Sequence, residues 1–104
     1  MRFSAKPVRK AVIPVAGLGT RFLPVTRSVP KALLPIINTP IIHYAVRDAV
    51  RSGINEIILV ISPGMESVGD YFAPKPVLEQ TLRSKGNKAV LEEQLQVASM
   101  AKVS

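Results

Sequence analysis

The run Lys10-Ala11-Val12-Ile13-Pro14-Val15 passes directly into Ala16-Gly17-Leu18-Gly19-Thr20-Arg21, and Pro30-Lys31 follows soon after. The branched, nearly all-apolar run predicts a strand of a parallel sheet covered on both faces. Pro14 cannot donate to a ladder, so it is expected near the strand's end, where the backbone is leaving its partner. Glycines beyond it let the chain turn sharply and bring N–H groups to an anion with no Cβ between. Arg21 and Lys31 then place two cations where the strand stops, which suits charge on phosphate oxygens. The pattern points to a nucleotide.

Two familiar phosphate motifs are excluded. No Gly-Lys-Ser/Thr element completes a P-loop, and no third glycine falls at the dinucleotide spacing. From Phe22 to Pro35 three prolines forbid a long helix, so Arg21, Arg27 and Lys31 are expected in a folded loop or short turns. Asn38-Thr39-Pro40 offers a capping side chain and a proline for the first helical position. Ile41, Ile42, Ala45, Val46, Ala49 and Val50 then recur at helical spacing, with Arg47 and Arg51 on the other face. Gly53 ends that helix, and Glu56 to Ile61 is a second buried-strand pattern.

Strand, loop, helix and strand make a right-handed βαβ crossover, so the class is α/β with the glycine loop at the carboxyl end of the first strand. Past Ser62-Pro63-Gly64, a short helix is expected over Met65 to Phe72, broken by Ala73-Pro74-Lys75-Pro76. Two more helices, Pro76 to Lys85 and Asn87 to Lys102, flank Gly86, with Val77, Leu78, Leu82, Val90, Leu91, Leu95 and Val97 as their apolar face. No third sheet strand is expected before Ser104.

Fourteen Lys and Arg against seven Asp and Glu give a net charge of +7 in 104 residues, which suits an anionic ligand and also fits non-specific attraction to nucleic acid. The cations are scattered, aromatics for base stacking are few, and no nucleic-acid motif is present, so nucleic acid is not expected as a partner. Absence of cysteine removes disulfides and thiolate metal sites. The basic start, Met1 to Pro7, lacks the apolar core of a signal peptide, and no apolar run is long enough to span a membrane, so a cytoplasmic protein without membrane partners is expected.

The longer string Gly17-Leu18-Gly19-Thr20-Arg21-Phe22-Leu23-Pro24, continuing through Pro30-Lys31 to Pro35, resembles the signature of the sugar-phosphate nucleotidyltransferases. Within them, Lys10 to Arg21 is most similar to the bacterial UTP–glucose-1-phosphate uridylyltransferases. Leu18 stands where thymidylyl relatives commonly carry a small polar residue, and the helical excursion after the second strand also resembles the uridylyl branch. Ala32 departs from the pattern, which usually has Glu after the lysine.

The resemblance implies a Rossmann-like nucleotidyltransferase fold whose N-terminal βαβ portion is followed by helices, with residues 1–104 as the opening, truncated part of the catalytic domain. It implies that a sugar-1-phosphate oxygen attacks the α-phosphorus of UTP, giving UDP-glucose and pyrophosphate. Backbone groups of Ala16, Gly17 and Leu18 would approach base and ribose, Gly19, Thr20 and Arg21 would hold the triphosphate, and Lys31 would bridge to the α-phosphate. Mg²⁺ is the implied cofactor, held by aspartates from later strands that this chain does not contain, and the full-length family implies a homo-oligomer.

Other side chains carry less. His43 has no metal ligand at a useful spacing and is expected as a satisfied or partly exposed helix histidine. Glu92 and Glu93 are expected at a helix N-terminus, where the macrodipole explains them. Two other classes stay open: an inactive truncated module for assembly or regulation, and a basic nucleic-acid-binding domain.

Overall fold

Branched apolar residues pair side by side at the centre of the structure, a computed structural model that describes residues 8–15, 17 and 19–104. Strand β1 (Lys10–Pro14) lies parallel to β4 (Glu56–Val60), from Lys10 opposite Glu56 to Pro14 opposite Val60. Between them run three short 3₁₀ turns (Thr20–Phe22, Val25–Arg27, Lys31–Leu33), the hairpin β2 (Pro35–Ile36) and β3 (Thr39–Pro40), and helix α1 (Ile41–Arg51). Helices α2 (Glu66–Asp70), α3 (Pro76–Ser84) and α4 (Lys88–Ser99) follow. Strand β5 (Lys102–Val103) then pairs parallel with β4, giving the sheet order β1-β4-β5.

Pro14 is the last residue of β1, but the ladder does not end with it, because the Val15 N–H donates to the Val60 carbonyl at 2.9 Å. Successive N–H groups of a strand point to opposite sides, so the side on which Pro14 has none is the outer edge of β1. The proline is tolerated for that reason and not because the chain has left its partner. One face of the sheet is packed: Ala11, Ile13, Ile57, Leu59 and Val103 meet Ile42 and Val46 of α1, with Val68 and Phe72 beside them. The other face is bare, with Val12 61% and Val60 48% exposed. Among the described residues, therefore, these strands are covered on one face and not on both.

α1 places Ile42 and Val46 inward as its periodicity requires, and its end is a Schellman motif. Gly53, at φ +96°, donates to Val50 while Ile54 donates to Ala49. Its beginning differs from expectation. Helical structure starts at Ile41, and Pro40 is extended (φ −61°, ψ 148°) because Thr39–Pro40 pairs with Pro35–Ile36. Asn38 therefore caps nothing and sits in the hairpin turn. Beside it Ile37 has φ +62° and is 96% exposed, a conformation unfavourable for a β-branched residue.

The later helices follow the sequence signals more loosely. Gly86, at φ +70°, closes α3, and the Asn87 side chain accepts from the Val90 N–H at 3.4 Å to open α4. Leu91 is buried and Leu82, Val90 and Val97 are half-buried, but Val77, Leu78 and Leu95 face solvent. The α3–α4 pair thus reaches outward, consistent with a radius of gyration of 15.9 Å, against about 13 Å for a compact chain of this size. Glu92 and Glu93 lie in the second turn of α4, outside the reach of its amino-terminal dipole. The third sheet strand, not expected, begins as soon as α4 ends.

His43 on α1 has the partner expected of it. Its Nδ1 lies 2.8 Å from the Tyr71 hydroxyl, joining α1 to the end of α2. Burial, aided by the Arg47 guanidinium, holds the His43 pKa below its ordinary 6.5. Burial, aided by Tyr44, raises that of Tyr71, so the bond joins a neutral imidazole to a neutral phenol, with its direction set by the imidazole tautomer.

Two outcomes follow from these local geometries. Ile37→Asn is expected to raise stability by about 1 kcal/mol, since asparagine tolerates the left-handed region, as read from a chemical denaturation midpoint. Below pH 6.5 the unfolded chain takes up a proton at His43 before the folded chain does. Stability should therefore fall as pH is lowered from 6.5 through the folded pKa, and His43→Gln should flatten urea-unfolding profiles in that window.

Candidate functional site

Parallel pairing brings the carboxyl ends of β1 and β4 to one rim, and the glycine loop leaves the sheet there, immediately after the Val15–Val60 bond. Gly17 is exposed, Gly19 half-buried, and Thr20 and Arg21 exposed on the first 3₁₀ turn. Ala16 and Leu18, expected to approach base and ribose, lie outside the described residues. Lys31 opens the third turn and is exposed. Arg27 ends the second turn, also exposed.

The three turns hold one another. Gly19 has φ +64°, and its carbonyl accepts from the Phe22 N–H at 2.9 Å, closing the first turn. The second turn rests on Pro24, whose carbonyl accepts from Arg27, and the third on Pro30, whose carbonyl accepts from Leu33. Thr26 reaches back from the second turn to donate to the Gly19 carbonyl at 2.9 Å. A Cβ on Gly19 would sit 2.8 Å from the Thr26 methyl and 2.9 Å from the Lys31 Cβ. Glycine is required there twice over, by backbone sign and by space.

Gly19 and Lys31, twelve residues apart, are thus in contact through the fold. Arg21 is two residues from Gly19 along the chain, with its side chain in solvent. Among the described residues no carboxylate pairs with Arg21 or Lys31. Glu56 gathers two cations, Lys10 at 3.5 Å and Lys102 at 4.0 Å, at the opposite, amino end of the sheet. Sequence reasoning missed Thr26, since its partner is a carbonyl seven residues away and neither residue type signals the bond.

A polar cleft of about 690 Å³ lies elsewhere, lined by His43, Arg47, Arg51, Tyr71 and Glu93 among others. Its lining contains none of the described loop residues and sets a carboxylate among the cations, which disfavours an anion there. Among the described residues no three His, Asp or Glu side chains are grouped to hold a metal ion. No described helix is long and apolar enough to cross a membrane.

Comparison with known proteins agrees with this geometry. Residues 10–93 match the nucleotidyl transferase family. The chain is 47% identical over 98 residues to the UTP–glucose-1-phosphate uridylyltransferase YngB of Bacillus subtilis, covering 94% of this chain and 33% of that protein. It is 48% identical over 87 residues to the enzyme of the same name from Komagataeibacter xylinus, covering 84% of this chain and 31% of that one. A UTP-bound UGPase from Acinetobacter baumannii superposes with a TM-score of 0.85 at 43% identity, covering 92% of this chain and 34% of that one. An apo UDP-glucose pyrophosphorylase gives 0.84 at 32%, covering 93% and 36%. The chain spans about a third of the length of the curated relatives it matches. With its parallel sheet, its rim loop and this match, the chain belongs to the nucleotidyl transferase family.

Proposed function

We infer that this chain is the amino-terminal part of a UTP–glucose-1-phosphate uridylyltransferase domain and carries the surface that holds UTP. The observation that carries the reading is the turn after β1, with Gly17, Thr20 and Arg21 exposed and Lys31 packed against Gly19. The activities for which the relatives are named, and the UTP-bound neighbour, support the choice of nucleotide and sugar phosphate.

In this reading Gly17, Gly19 and Thr20, with Ala16 and Leu18, meet the nucleotide through main-chain groups. Arg21 and Lys31 neutralise its phosphates. The reaction is an in-line displacement: a glucose-1-phosphate oxygen forms a bond to the α-phosphorus, the bond from that phosphorus to the β-phosphate bridge breaks, and pyrophosphate departs. Such a step depends on alignment and charge neutralisation more than on a protein nucleophile. In this reading Lys31, whose side chain starts beside Gly19, is assigned to the α-phosphate, and Arg21 on the first turn helps hold the triphosphate. Any Mg²⁺ would draw its ligands from residues beyond this chain, and the roles given to Arg21 and Lys31 do not depend on it.

The 104-residue polypeptide is expected to bind UTP while showing little or no turnover, and a pyrophosphate-release assay with glucose-1-phosphate checks the second part. Arg21→Ala and Lys31→Ala should each weaken UTP binding roughly 10-fold, as loss of a charge-assisted contact does, with thermal stability unchanged. Calorimetric titration of the wild type and both variants is the test. Equal UTP affinity in all three, or none in the wild type, overturns the assignment. Gly19→Ala should abolish binding and also lower the melting temperature, because the new methyl collides with Thr26 and Lys31.

A further inference from the structure

We propose that Thr26 is the positioning residue of this loop, an inference that rests on the nucleotide reading above. The Gly19 carbonyl accepts two hydrogen bonds, from the Phe22 N–H and from the Thr26 hydroxyl, each 2.9 Å long. A carbonyl oxygen has two lone pairs, so both are occupied. Across a planar trans peptide the carbonyl of Gly19 and the N–H of Thr20 point in opposite directions. Two donors pulling the oxygen toward the 3₁₀ turns therefore turn the Thr20 N–H away from them. Among the described residues nothing accepts from that N–H, and Thr20 is exposed.

The same side chain acts a second time through its methyl. Thr26 Cγ2 and Lys31 Cβ flank the space where a Gly19 side chain would be. Hydroxyl and methyl together set how the Gly19–Thr20 peptide is rotated and how far it stands from Lys31. Thr26 itself is half-buried, and its hydroxyl is engaged by the Gly19 carbonyl. Its contribution is to aim a main-chain donor, so a substitution there acts on UTP affinity through the peptide plane.

Valine keeps the methyl and removes the donor, whereas serine keeps the donor and removes the methyl. The test uses the whole 104-residue chain with two readouts: UTP titration by calorimetry, and the Gly19 carbonyl and Thr20 amide resonances recorded without nucleotide. Thr26→Val should weaken UTP binding about 3- to 10-fold, the loss of one neutral hydrogen bond, and shift both resonances. Thr26→Ser should recover most of that affinity and leave the resonances near their wild-type positions. Wild-type affinity in Thr26→Val, or an equal loss in both variants, overturns the proposal. If the wild type does not bind UTP, the uridylyltransferase reading fails on its own. The ligand-free resonances then decide alone: unshifted signals in Thr26→Val refute the positioning role and shifted ones support it. Should Thr26→Val fail to fold, Thr26→Ala gives the same two readouts without added bulk.

Discussion

Burial of Ile42 and Val46 against Ile57 is the contact on which the rest of this chain depends. It stabilises by about 1.5–3 kcal/mol per side chain, and its directional effect matters more than its size. A helix that must lay this stripe on the sheet returns the chain so that β4 runs parallel to β1. Both strands then release their carboxyl ends at the same rim. A hairpin would have put a carboxyl end beside an amino end, and the glycine loop would have had no shared edge to occupy.

What stands on that rim is made almost entirely from local turns. Prolines at positions 24 and 30 open two of the three 3₁₀ turns, and the left-handed Gly19 opens the first. Charge is separated along the strands as well. Glu56 sits between Lys10 and Lys102 at the amino end, while Arg21 and Lys31 at the carboxyl end have no acidic partner among the described residues. Two of the cations that lack an acidic partner among the described residues thereby stand beside Gly19 and its turn.

Much of this was legible because it depends on periodicity and on residues with few conformational options. The apolar runs of β1 and β4, the stripe of α1, the stop at Gly53 and the proline-broken loop all have short-range causes. Pro14 was read as a sign that the strand was ending, and only the sheet order shows that its missing donor faces an edge. The β2–β3 hairpin was hidden, since two-residue strands have no period, and it displaced the cap expected from Asn38. β5 is equally short, and its Lys102 and Val103 carry no pattern until β4 lies beside them. The exposure of Val77 and Leu78 could not be read either, because helical spacing marks a face without saying what covers it. In the site, the two glycines and the cations were visible as residue types, while Thr26 became visible only through its acceptor.

The doubly engaged carbonyl of Gly19 has a kinetic meaning too. A glycine loop left to itself would wander through many shapes, and a ligand would have to wait for, or induce, the right one. Here the threonine and the adjoining amide already restrain the chain before anything arrives. Under the nucleotide role proposed above, the Gly19 end of the loop needs little ordering on capture, which leaves encounter rates to diffusion and to the attraction of Arg21 and Lys31.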